Sequence, residues 1–397
     1  MASAIELTVN LRSRQAMAQN TRYAAIETLQ RVQRTRHPVA QIFAEIVEQC
    51  RLSPADRQLA MNIVFGVLRH REQLDLLISQ LCARPPDRKN PFVYQALATG
   101  LYQLFFLDRM PAFAAVNETI EAVRQSGAPP KIRGFVNGVL RAGLRRREEL
   151  HRLVDPDGAG RLLLNHPAWL TRRWQERYGI DTMRAICAHN NCEAMLCLRV
   201  SRRIGRAGYL KLLEEAGITA QIGNLAPDSM LLPSFHGPIP ALPGYQEGLF
   251  LVQDQAAQLA TLLLAPFQPD LRYLDCCAGL GGKTSHLAEL LPPGSATITA
   301  LEPDPGRFRL LQENLARSAD NLSISLHNST LEQFAGNCPL CFDAILIDAP
   351  CSGTGVIGRQ PDIRWNRQEQ DLSTYRQKQG CLLKTAADRL APEGVLV

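Results

Sequence analysis

The sequence lacks any long apolar run. No stretch of 18 consecutive apolar residues occurs among its 397 residues, and the segment ATLLLAPF is far too short to cross a bilayer. The N-terminal residues also lack the apolar core and small-residue cleavage site of a secretory signal. These absences argue against a membrane partner. They predict a cytoplasmic protein that begins with a disordered tail over residues 1–19.

Cysteine is too sparse for a disulfide scaffold. The 11 cysteines are spread through the chain, and several lie inside apolar runs, which predicts reduced, buried thiols in a reducing compartment. Cys338 and Cys341 have the spacing of half a zinc knuckle, but no second pair with suitable spacing is present. We therefore expect no bound metal. Internal repeats and low-complexity tracts are also lacking.

Charge is distributed unevenly along the chain. The hydrophobic share of 46% and the charged share of 21% are those of a globular protein, and the net charge is +6. Residues 1–150 hold 21 Lys and Arg against 13 Asp and Glu, a net charge of +8. A basic N-terminal part favours a polyanionic partner, whereas a solvated basic surface is the alternative. The predicted helix that ends this part has Arg141, Arg145, Arg146 and Arg147 at its tail, and the run Arg145 to Arg147 is the candidate for RNA contact, with a solvated helix end as the alternative.

The spacing of apolar residues divides the chain into three parts. Residues 20–150 have the helical period, and the segment PFVYQALATGLYQLFFL, apolar nearly all round, predicts the centre of an all-α domain. Residues 160–255 indicate a small α+β module that links the larger parts. Residues 256–397 alternate helices with short buried strands, which is typical of a doubly wound, Rossmann-like α/β domain.

Glycines follow the first strand of this alternation. Gly279, Gly281 and Gly282 in DCCAGLGGKT allow a ligand to approach the backbone, and Glu302 ends the next strand, 21 residues beyond Gly281. An acid there can accept hydrogen bonds from both hydroxyls of a ribose. The G-x-G-x-x-G and Walker patterns are both unmet, which argues against NAD and ATP. The glycine-rich turn and Glu302 together predict a nucleoside cofactor such as S-adenosylmethionine. A purely structural turn is the alternative.

The fourth strand of the alternation ends in the segment ILIDAPCSGTGVI. Pro350 removes a backbone donor and ends the strand, so Asp348 and Cys351 are presented at the same edge. The carboxylate can hold the N3/N4 edge of a cytosine, and a thiolate can form or relieve a covalent adduct at C6. Chemistry alone makes Cys351 the candidate nucleophile, with a packed thiol as the alternative.

Three further side chains are candidates for the same site. Lys283 can orient Asp348 or the base, or it can be a surface lysine of a first helical turn. Arg364 and Trp365, in the segment PDIRW, can clamp or stack on an extruded base. Packing in the core is the alternative for Trp365.

Together these motifs resemble the Nop2/Sun group of RNA 5-methylcytosine methyltransferases. The resemblance rests on DCCAGLGGKTSHL, on DAPCSGTGVI followed by PDIRW, and on GLFLVQDQAAQLA; VNETIEAVR and GFVNGVLR resemble a NusB-like RNA-binding domain. It covers the chain from about residue 20 onward. It implies a NusB-like helical domain, a linking module and a Rossmann-like domain that methylates cytosine C5 in small-subunit (16S) rRNA. It also implies S-adenosyl-L-methionine as the cofactor, and we expect a monomer.

The resemblance assigns roles to positions of this sequence. Cys351, Asp348 and Lys283 form the predicted catalytic group, and Asp348 also contacts the cofactor. Glu302 is assigned to the ribose and Asn328, or else Ser329, to the adenine. The family usually has Ala-Pro at Gly279-Leu280 and an Asp at Asn328. The implied cofactor loop consists of Cys277, Ala278, Gly279, Leu280, Gly281, Gly282 and Lys283.

The family mechanism uses two cysteines. The cysteine of the acid-Pro-Cys motif, here Cys351, assists elimination, and the one that attacks C6 lies in a Thr-Cys-Ser motif after the fifth strand. In this sequence the fifth strand is GVLV, which ends at Val397. We therefore expect a C-terminally incomplete copy that binds cofactor weakly and does not methylate. The alternatives are a non-catalytic RNA-binding or assembly factor, and the same chemistry on tRNA.

Overall fold

The chain forms two compact units. A computed structural model describes residues 20–86, 91–154, 164–292, 296–318 and 324–397. One unit comprises the chain up to Ala194 together with Gly353–Glu369, and the other comprises Met195–Ser352 with Gln370–Val397. We call them the helical unit and the sheet unit, and we call Gly353–Glu369 the return segment. The tail predicted over residues 1–19 lies outside the described residues.

The helical unit is built from helices before the return segment. Its central helix is buried nearly all round from Val93 to Phe105 and packs against the helices before and after it, which confirms the predicted bundle centre. The helices are α1 (Thr21–Thr35), α2 (Val39–Cys50), α3 (Pro54–Arg69), α4 (Arg71–Leu81), α5 (Pro91–Phe106, the central helix), α6 (Ala112–Gln125), α7 (Pro130–Arg145), α8 (Arg147–Val154), α9 (Ala168–Tyr178) and α10 (Ile180–Asn191).

The return segment contains a 3₁₀ turn at Thr354–Val356 and a short helical turn at Ile363–Asn366. Ile357 and Ile363 pack with Leu170 of α9 in a small apolar cluster. Contacts between residues place α9 and α10 in the helical unit, which runs to Ala194. The sequence analysis instead assigns these residues to the α+β module that it begins at residue 160. The domain boundaries drawn from the sequence stay a prediction.

A buried histidine lies beside α9 and α10. His166 is 2% exposed, its Nδ1 is 2.6 Å from the carbonyl oxygen of Leu164, and its Nε2 is 3.4 Å from the side-chain nitrogen of Asn190. Since an amide nitrogen donates, Nε2 accepts and the ring is neutral. Burial and the nearby Arg364 guanidinium lower the pKa of His166 to about 4.

This histidine predicts that the helical unit loses stability in acid. Between pH values near 6.5 and 4 the unfolded chain binds a proton that the folded chain does not, so stability is fully present above that window. It is lost as the pH falls through the window, by roughly 3 kcal/mol in all. In His166→Gln, the free energy of unfolding should change less with pH between 6.5 and 4. Urea unfolding at several pH values measures this. An unchanged slope in the variant would assign the acid sensitivity to other groups.

The sheet unit begins with a small antiparallel sheet. Its strands have the order β2-β3-β1-β4, and Leu198 of the central strand pairs with Met230 and Val252. Tyr209 and Phe250 pack together in the apolar core on one face. The elements are β1 (Leu196–Val200), α11 (Gly205–Glu215), β2 (Gln221–Ile222), β3 (Ser229–Leu232) and β4 (Phe250–Val252).

A parallel sheet follows in the same unit, with strand order β7-β6-β5-β8-β9. Tyr273 and Leu274 are successive residues of the central strand and pack into different apolar clusters, so both faces are covered. The elements are α12 (Gln255–Leu262), β5 (Arg272–Asp275), α13 (Gly282–Leu290), β6 (Thr297–Leu301), α14 (Pro305–Ser318), β7 (Ile324–His327), α15 (Leu331–Asn337), β8 (Phe342–Leu346), α16 (Asp371–Ala387) and β9 (Leu390–Leu396).

This architecture confirms the predicted fold class, a helical part followed by a Rossmann-like α/β domain. The central position of β5 brings the loops after β5, β6 and β8 to one edge of the sheet. None of the helices in the described residues is long and apolar enough to span a membrane.

Candidate active site

A buried carboxylate organises the predicted cofactor loop, residues 277–283. Asp275, the last residue of β5, is fully buried; its Oδ2 accepts a hydrogen bond from Thr284 Oγ1 at 2.8 Å, and its Oδ1 accepts one from the Cys277 backbone N–H at 3.2 Å. Burial raises the pKa of Asp275 to about 6, while these hydrogen bonds oppose the rise. The Asp275 side chain thus holds Cys277, the first residue of the loop, and Thr284, the residue that follows the loop.

The loop itself requires glycine at its turn into α13. Gly281 has a φ of 87°, and a Cβ atom there would lie 2.8 Å from a methyl group of Leu311. Both the left-handed backbone and the close approach therefore exclude a side chain. Leu280, one residue earlier, is exposed. The backbone of this turn is open to a ligand at the start of a helix.

Glu302 and Asn328 come together at the ends of β6 and β7. Glu302 is 3% exposed; its Oε1 accepts from the Asp304 N–H at 3.0 Å, and its Oε2 lies 3.8 Å from a guanidinium nitrogen of Arg307. The side-chain nitrogen of Asn328 donates to the carbonyl oxygen of Glu302 at 2.8 Å. The oxygen atoms Glu302 Oε2 and Asn328 Oδ1 are therefore available to accept from a nucleoside.

Ser329 was the alternative to Asn328 for the adenine. Its hydroxyl is buried and has no hydrogen-bond partner among the described residues. Asn328 itself is exposed. The geometry favours Asn328, because its side chain is both accessible and fixed by Glu302.

The structure also brings Lys283 and Asp348 into contact. Lys283 Nζ lies 2.5 Å from Asp348 Oδ2, with the lysine side chain 15% exposed and the aspartate side chain 57% exposed. The lysine therefore fixes the direction of a carboxylate whose other oxygen faces outward. Gln379 of α16 donates to the carbonyl oxygen of Pro350 at 3.1 Å, and Cys351, the next residue, is exposed. An oriented acceptor and an accessible thiol thus follow β8.

The cysteines near this edge differ in their chemistry. Burial and the neighbouring acids Asp275 and Asp348 raise the pKa of Cys277 to about 12, and burial raises the pKa of Cys276 as well. Both side chains therefore stay protonated thiols at neutral pH and are unsuited to attack. Cys351 is exposed, as are Cys192 and Cys381.

These differences predict which thiols react. Iodoacetamide at a pH of about 8 should label Cys351 and Cys381 readily and leave Cys276 and Cys277 unlabelled, because the thiolate is the reactive form. Peptide mass spectrometry of the labelled chain measures each site, with exposed Cys192 as the positive control. Prompt labelling of Cys277, which is half-buried, would show that its thiol is not held protonated.

A buried arginine lies behind the cofactor loop. Arg199 of β1 is 1% exposed and donates to Gln253 Oε1 at 2.9 Å, to Ser285 Oγ at 2.8 Å and to the carbonyl oxygen of Gly282. Its Nε lies 3.9 Å from Glu289 Oε2. Burial lowers the pKa of Arg199 to about 10, so the side chain remains charged at neutral pH. The antiparallel sheet is tied to the first turn of α13 through this side chain.

The structure corrects the expectation for Arg364 and Trp365. Arg364 is fully buried in the helical unit, and its guanidinium is bonded to carbonyl and side-chain oxygens of Asn165, Asn190 and Asn191. Trp365 packs against the helical core and donates its indole N–H to the carbonyl oxygen of Leu68. A clamp on an extruded base is therefore wrong for Arg364, and the core-packing alternative holds for Trp365.

Asp275 and Arg199 are the site residues that the sequence analysis missed. A signal for each was present: an acid directly before the glycine-rich loop, and a charged residue inside the apolar strand segment LCLRV. Neither signal identifies the residues to which these charged side chains are hydrogen-bonded. Among the described residues, no group of three or more His, Cys, Asp or Glu side chains could hold a metal ion. Cys338 and Cys341 therefore belong to no such group.

Comparison with known proteins matches three family models to successive parts of the chain. The NusB family matches residues 19–145, and the ferredoxin-like domain of RsmF/B-like methyltransferases matches residues 166–237. The model described as 16S rRNA methyltransferase RsmB/F matches residues 261–397, which contain the site described above apart from Arg199 and its partner Gln253.

Two relatives extend this similarity over most of the chain. A protein of Salmonella paratyphi A named ribosomal RNA small subunit methyltransferase B is 39% identical over 356 residues, 88% of this chain and 79% of that protein. The protein of the same name from Escherichia coli O6:K15:H31 is 37% identical over 388 residues, 95% of this chain and 85% of that protein. The chain belongs to the RsmB/F family of 16S rRNA methyltransferases.

The solved structure of the protein PH0851 has the same fold as this RsmB/F member. It superposes with a TM-score of 0.74 at 21% identity and covers 95% of this chain and 84% of that one. Enzymes of the RsmB/F family use S-adenosyl-L-methionine. The glycine turn at 281 and the buried carboxylate of Glu302 fit a nucleoside with a free ribose, so the residues present suit that cofactor.

Proposed function

We propose that this protein belongs to an enzyme that methylates carbon 5 of a cytosine in small-subunit (16S) rRNA, in the cytoplasm and as a monomer. Residues 256–397 bind the cofactor and the base, whereas the attack on C6 is assigned to the Thr-Cys-Ser cysteine that the family resemblance places after the fifth strand. The observation that carries the choice of base is the Lys283–Asp348 pair, which stands just before the Pro350-Cys351 turn. The membership in the RsmB/F family supports the choice of rRNA.

Residues at the ends of β5, β6 and β7 hold the cofactor. S-adenosyl-L-methionine supplies an electrophilic methyl group when bound. Glu302 accepts hydrogen bonds from the ribose hydroxyls, and the Asn328 side-chain oxygen accepts from the adenine amino group. Gly281 adopts the left-handed backbone that turns the loop into α13, and the backbone N–H groups at the start of that helix face the cofactor.

Residues after β8 handle the base. The outward oxygen of Asp348 accepts a hydrogen bond from the cytosine N4 amino group, and Lys283 holds the carboxylate in that direction. After C5 is methylated, the Cys351 thiolate removes the C5 proton. The electron pair of that C–H bond forms the C5=C6 double bond, and the C6–S bond breaks, which releases the thiolate of the second cysteine, the one that the family resemblance places in a Thr-Cys-Ser motif after the fifth strand.

Basic residues at the junction of α7 and α8 supply the proposed RNA contacts. Arg141 and Arg145 are exposed. Arg146 pairs with Glu149 at 2.7 Å, which fixes its position on the surface and removes part of its charge. We therefore assign the phosphate contacts to Arg141, Arg145 and Arg147 in preference to Arg146.

Bisulfite sequencing of rRNA and tRNA from a strain that lacks this gene tests the proposal. We expect one cytosine of small-subunit rRNA to lose its methylation and a plasmid copy of the natural gene to restore it. A copy with Asp348→Asn should not restore it, whereas a copy with Glu313→Gln, an exposed acid on α14, should. Unchanged rRNA together with loss of a tRNA signal would contradict the choice of substrate.

A further inference from the structure

One face of α14 lies against the cofactor loop. Leu311 and Leu315 of this helix pack in one apolar cluster with Ala278 of the loop. A Cβ atom at Gly281 would lie 2.8 Å from Leu311 and 3.4 Å from Leu315. Asn314 lies on the same face of the helix, three residues after the first leucine and one before the second. The helix therefore offers the loop a polar side chain between two apolar contacts.

The loop contains a glycine-rich β-turn. The Gly281 N–H donates to the carbonyl oxygen of Ala278 at 2.9 Å, and Gly279 and Gly281 have φ values of 60° and 87°. Since glycine adopts either sign of φ at little cost, the peptide group between Leu280 and Gly281 turns over more easily than one between larger residues. Leu280 is 47% exposed, so its side chain adds little packing. The turn therefore depends on a restraint from outside itself.

Asn314 supplies such a restraint. Its side-chain nitrogen Nδ2 donates to the carbonyl oxygen of Leu280 at 2.9 Å. The peptide group between Leu280 and Gly281 is then hydrogen-bonded at both ends, because its carbonyl meets Asn314 and its N–H meets the carbonyl of Ala278. A reversal of this peptide group breaks both hydrogen bonds at once. The contact thus holds the turn in the conformation that leads into α13.

Arg317, three residues further along α14, fixes the Asn314 side chain. Its Nη2 donates to Asn314 Oδ1 at 3.2 Å, and its Nη1 donates to the carbonyl oxygen of Tyr245 at 2.7 Å. The guanidinium also lies 4.1 Å from the centroid of the Tyr245 ring. Because Oδ1 accepts from a cation, the amide presents its nitrogen, and not its oxygen, to Leu280.

The residues that hold Arg317 belong to the antiparallel sheet and its connections. Tyr245 packs against the apolar core of that sheet, with its ring centroid 6.0 Å from that of Phe250. A Cβ atom at Gly248 would lie 2.0 Å from the carbonyl oxygen of Arg317, so the segment before β4 lies directly against the end of α14. Arg317 is therefore anchored on a packed surface of the same unit.

We infer that Asn314 is a positioning residue for the cofactor loop and that Arg317 orients it. By holding the peptide group between Leu280 and Gly281, Asn314 keeps the loop in the conformation in which the start of α13 is open to the cofactor. The inference rests on the proposed role of residues 277–283 in cofactor binding. The conformation of the loop itself is tested without cofactor.

Asn314→Asp separates positioning from a contribution to the fold alone. It keeps the side-chain shape and an acceptor for Arg317, but it removes the donor to Leu280 and places an oxygen atom against that carbonyl. Isothermal titration at neutral pH should show S-adenosyl-L-methionine bound about 10-fold more weakly, and about fivefold more weakly in Asn314→Leu. A role in the fold alone predicts that the aspartate is tolerated, because its carboxylate pairs with Arg317.

Hydrogen exchange of the cofactor-free chain measures the loop directly. In both variants, peptides that cover residues 276–284 should exchange about fivefold faster than in the parent chain, because the loss of one hydrogen bond shifts local opening by that order. Peptides that cover residues 305–318 of α14 should not exchange faster. Unchanged exchange of residues 276–284 in both variants would show that Asn314 does not restrain the turn, and the inference would be wrong.

Asn337→Asp is the matched control. Asn337 is an exposed residue of α15 whose side-chain nitrogen donates to the carbonyl oxygen of Gln333 at 3.1 Å, and its replacement should change neither measurement. If both Asn314 variants bind the cofactor as the parent does while Glu302→Ala binds weakly, the positioning role is refuted and the proposed site stands. If Glu302→Ala also binds as the parent does, the proposed site fails and the inference fails with it.

Discussion

Glu302→Ala is expected to weaken binding of S-adenosyl-L-methionine about 100-fold. The carboxylate is 3% exposed, and its Oε2 has only the Arg307 guanidinium, 3.8 Å away, among the described residues. Two charge-assisted hydrogen bonds from a ribose would be lost, and bonds of this kind contribute about 1.5–3 kcal/mol each before the cost of ordering. Isothermal titration of the chain with the cofactor measures the change directly.

Two further variants separate charge from shape at this position. Glu302→Gln keeps an acceptor oxygen and should weaken cofactor binding about 10-fold, since a neutral acceptor forms weaker hydrogen bonds than a carboxylate. Glu313→Ala removes an exposed acid of α14 that pairs with Arg309, and it should bind the cofactor as the parent chain does. Equal affinity in Glu302→Ala and the parent chain would show that the ribose is bound elsewhere.

The placement of the predicted cofactor residues at one edge of the sheet could be predicted because its signals are local. A glycine-rich turn after one buried strand and an acid at the end of the next are adjacent in sequence to the strands that place them. Strand order is then decided by general rules for parallel sheets, which bring these ends to one edge. Gly281, Glu302 and Asp348 therefore followed from pattern and topology without knowledge of any side-chain contact.

The contacts of buried charged residues could not be predicted in the same way. Arg364 lies next to a tryptophan in a segment that follows the candidate catalytic cysteine, and these neighbours favour an interpretation as a base clamp. Its partners are Asn165, Asn190 and Asn191, more than 170 positions away in sequence. Periodicity shows which face of an element is buried, but it does not show which distant carbonyl group a buried donor meets.

Arg199 is the most consequential of these buried charges for the cofactor, and Arg199→Met should weaken cofactor binding about 10-fold. The variant removes the donors to Gly282 and Ser285 that fix the first turn of α13, and the cofactor loop ends at that turn. It also leaves the half-buried Glu289 without the guanidinium that lies 3.9 Å from its Oε2, which should lower the stability of the sheet unit. Titration with cofactor and hydrogen exchange of the α13 amides measure the two effects separately.

Adding Glu289→Gln to Arg199→Met distinguishes positioning from general damage. The second change removes the carboxylate charge that Arg199 balances in the parent chain, so the double variant should recover much of the lost protection of α13. Cofactor affinity should stay low, because the donors to Gly282 and Ser285 are still missing. Arg199→Lys retains the charge but not the planar fork, and it should fall between the parent and Arg199→Met in affinity. If affinity recovers together with stability in the double variant, Arg199 acts only through the stability of the fold.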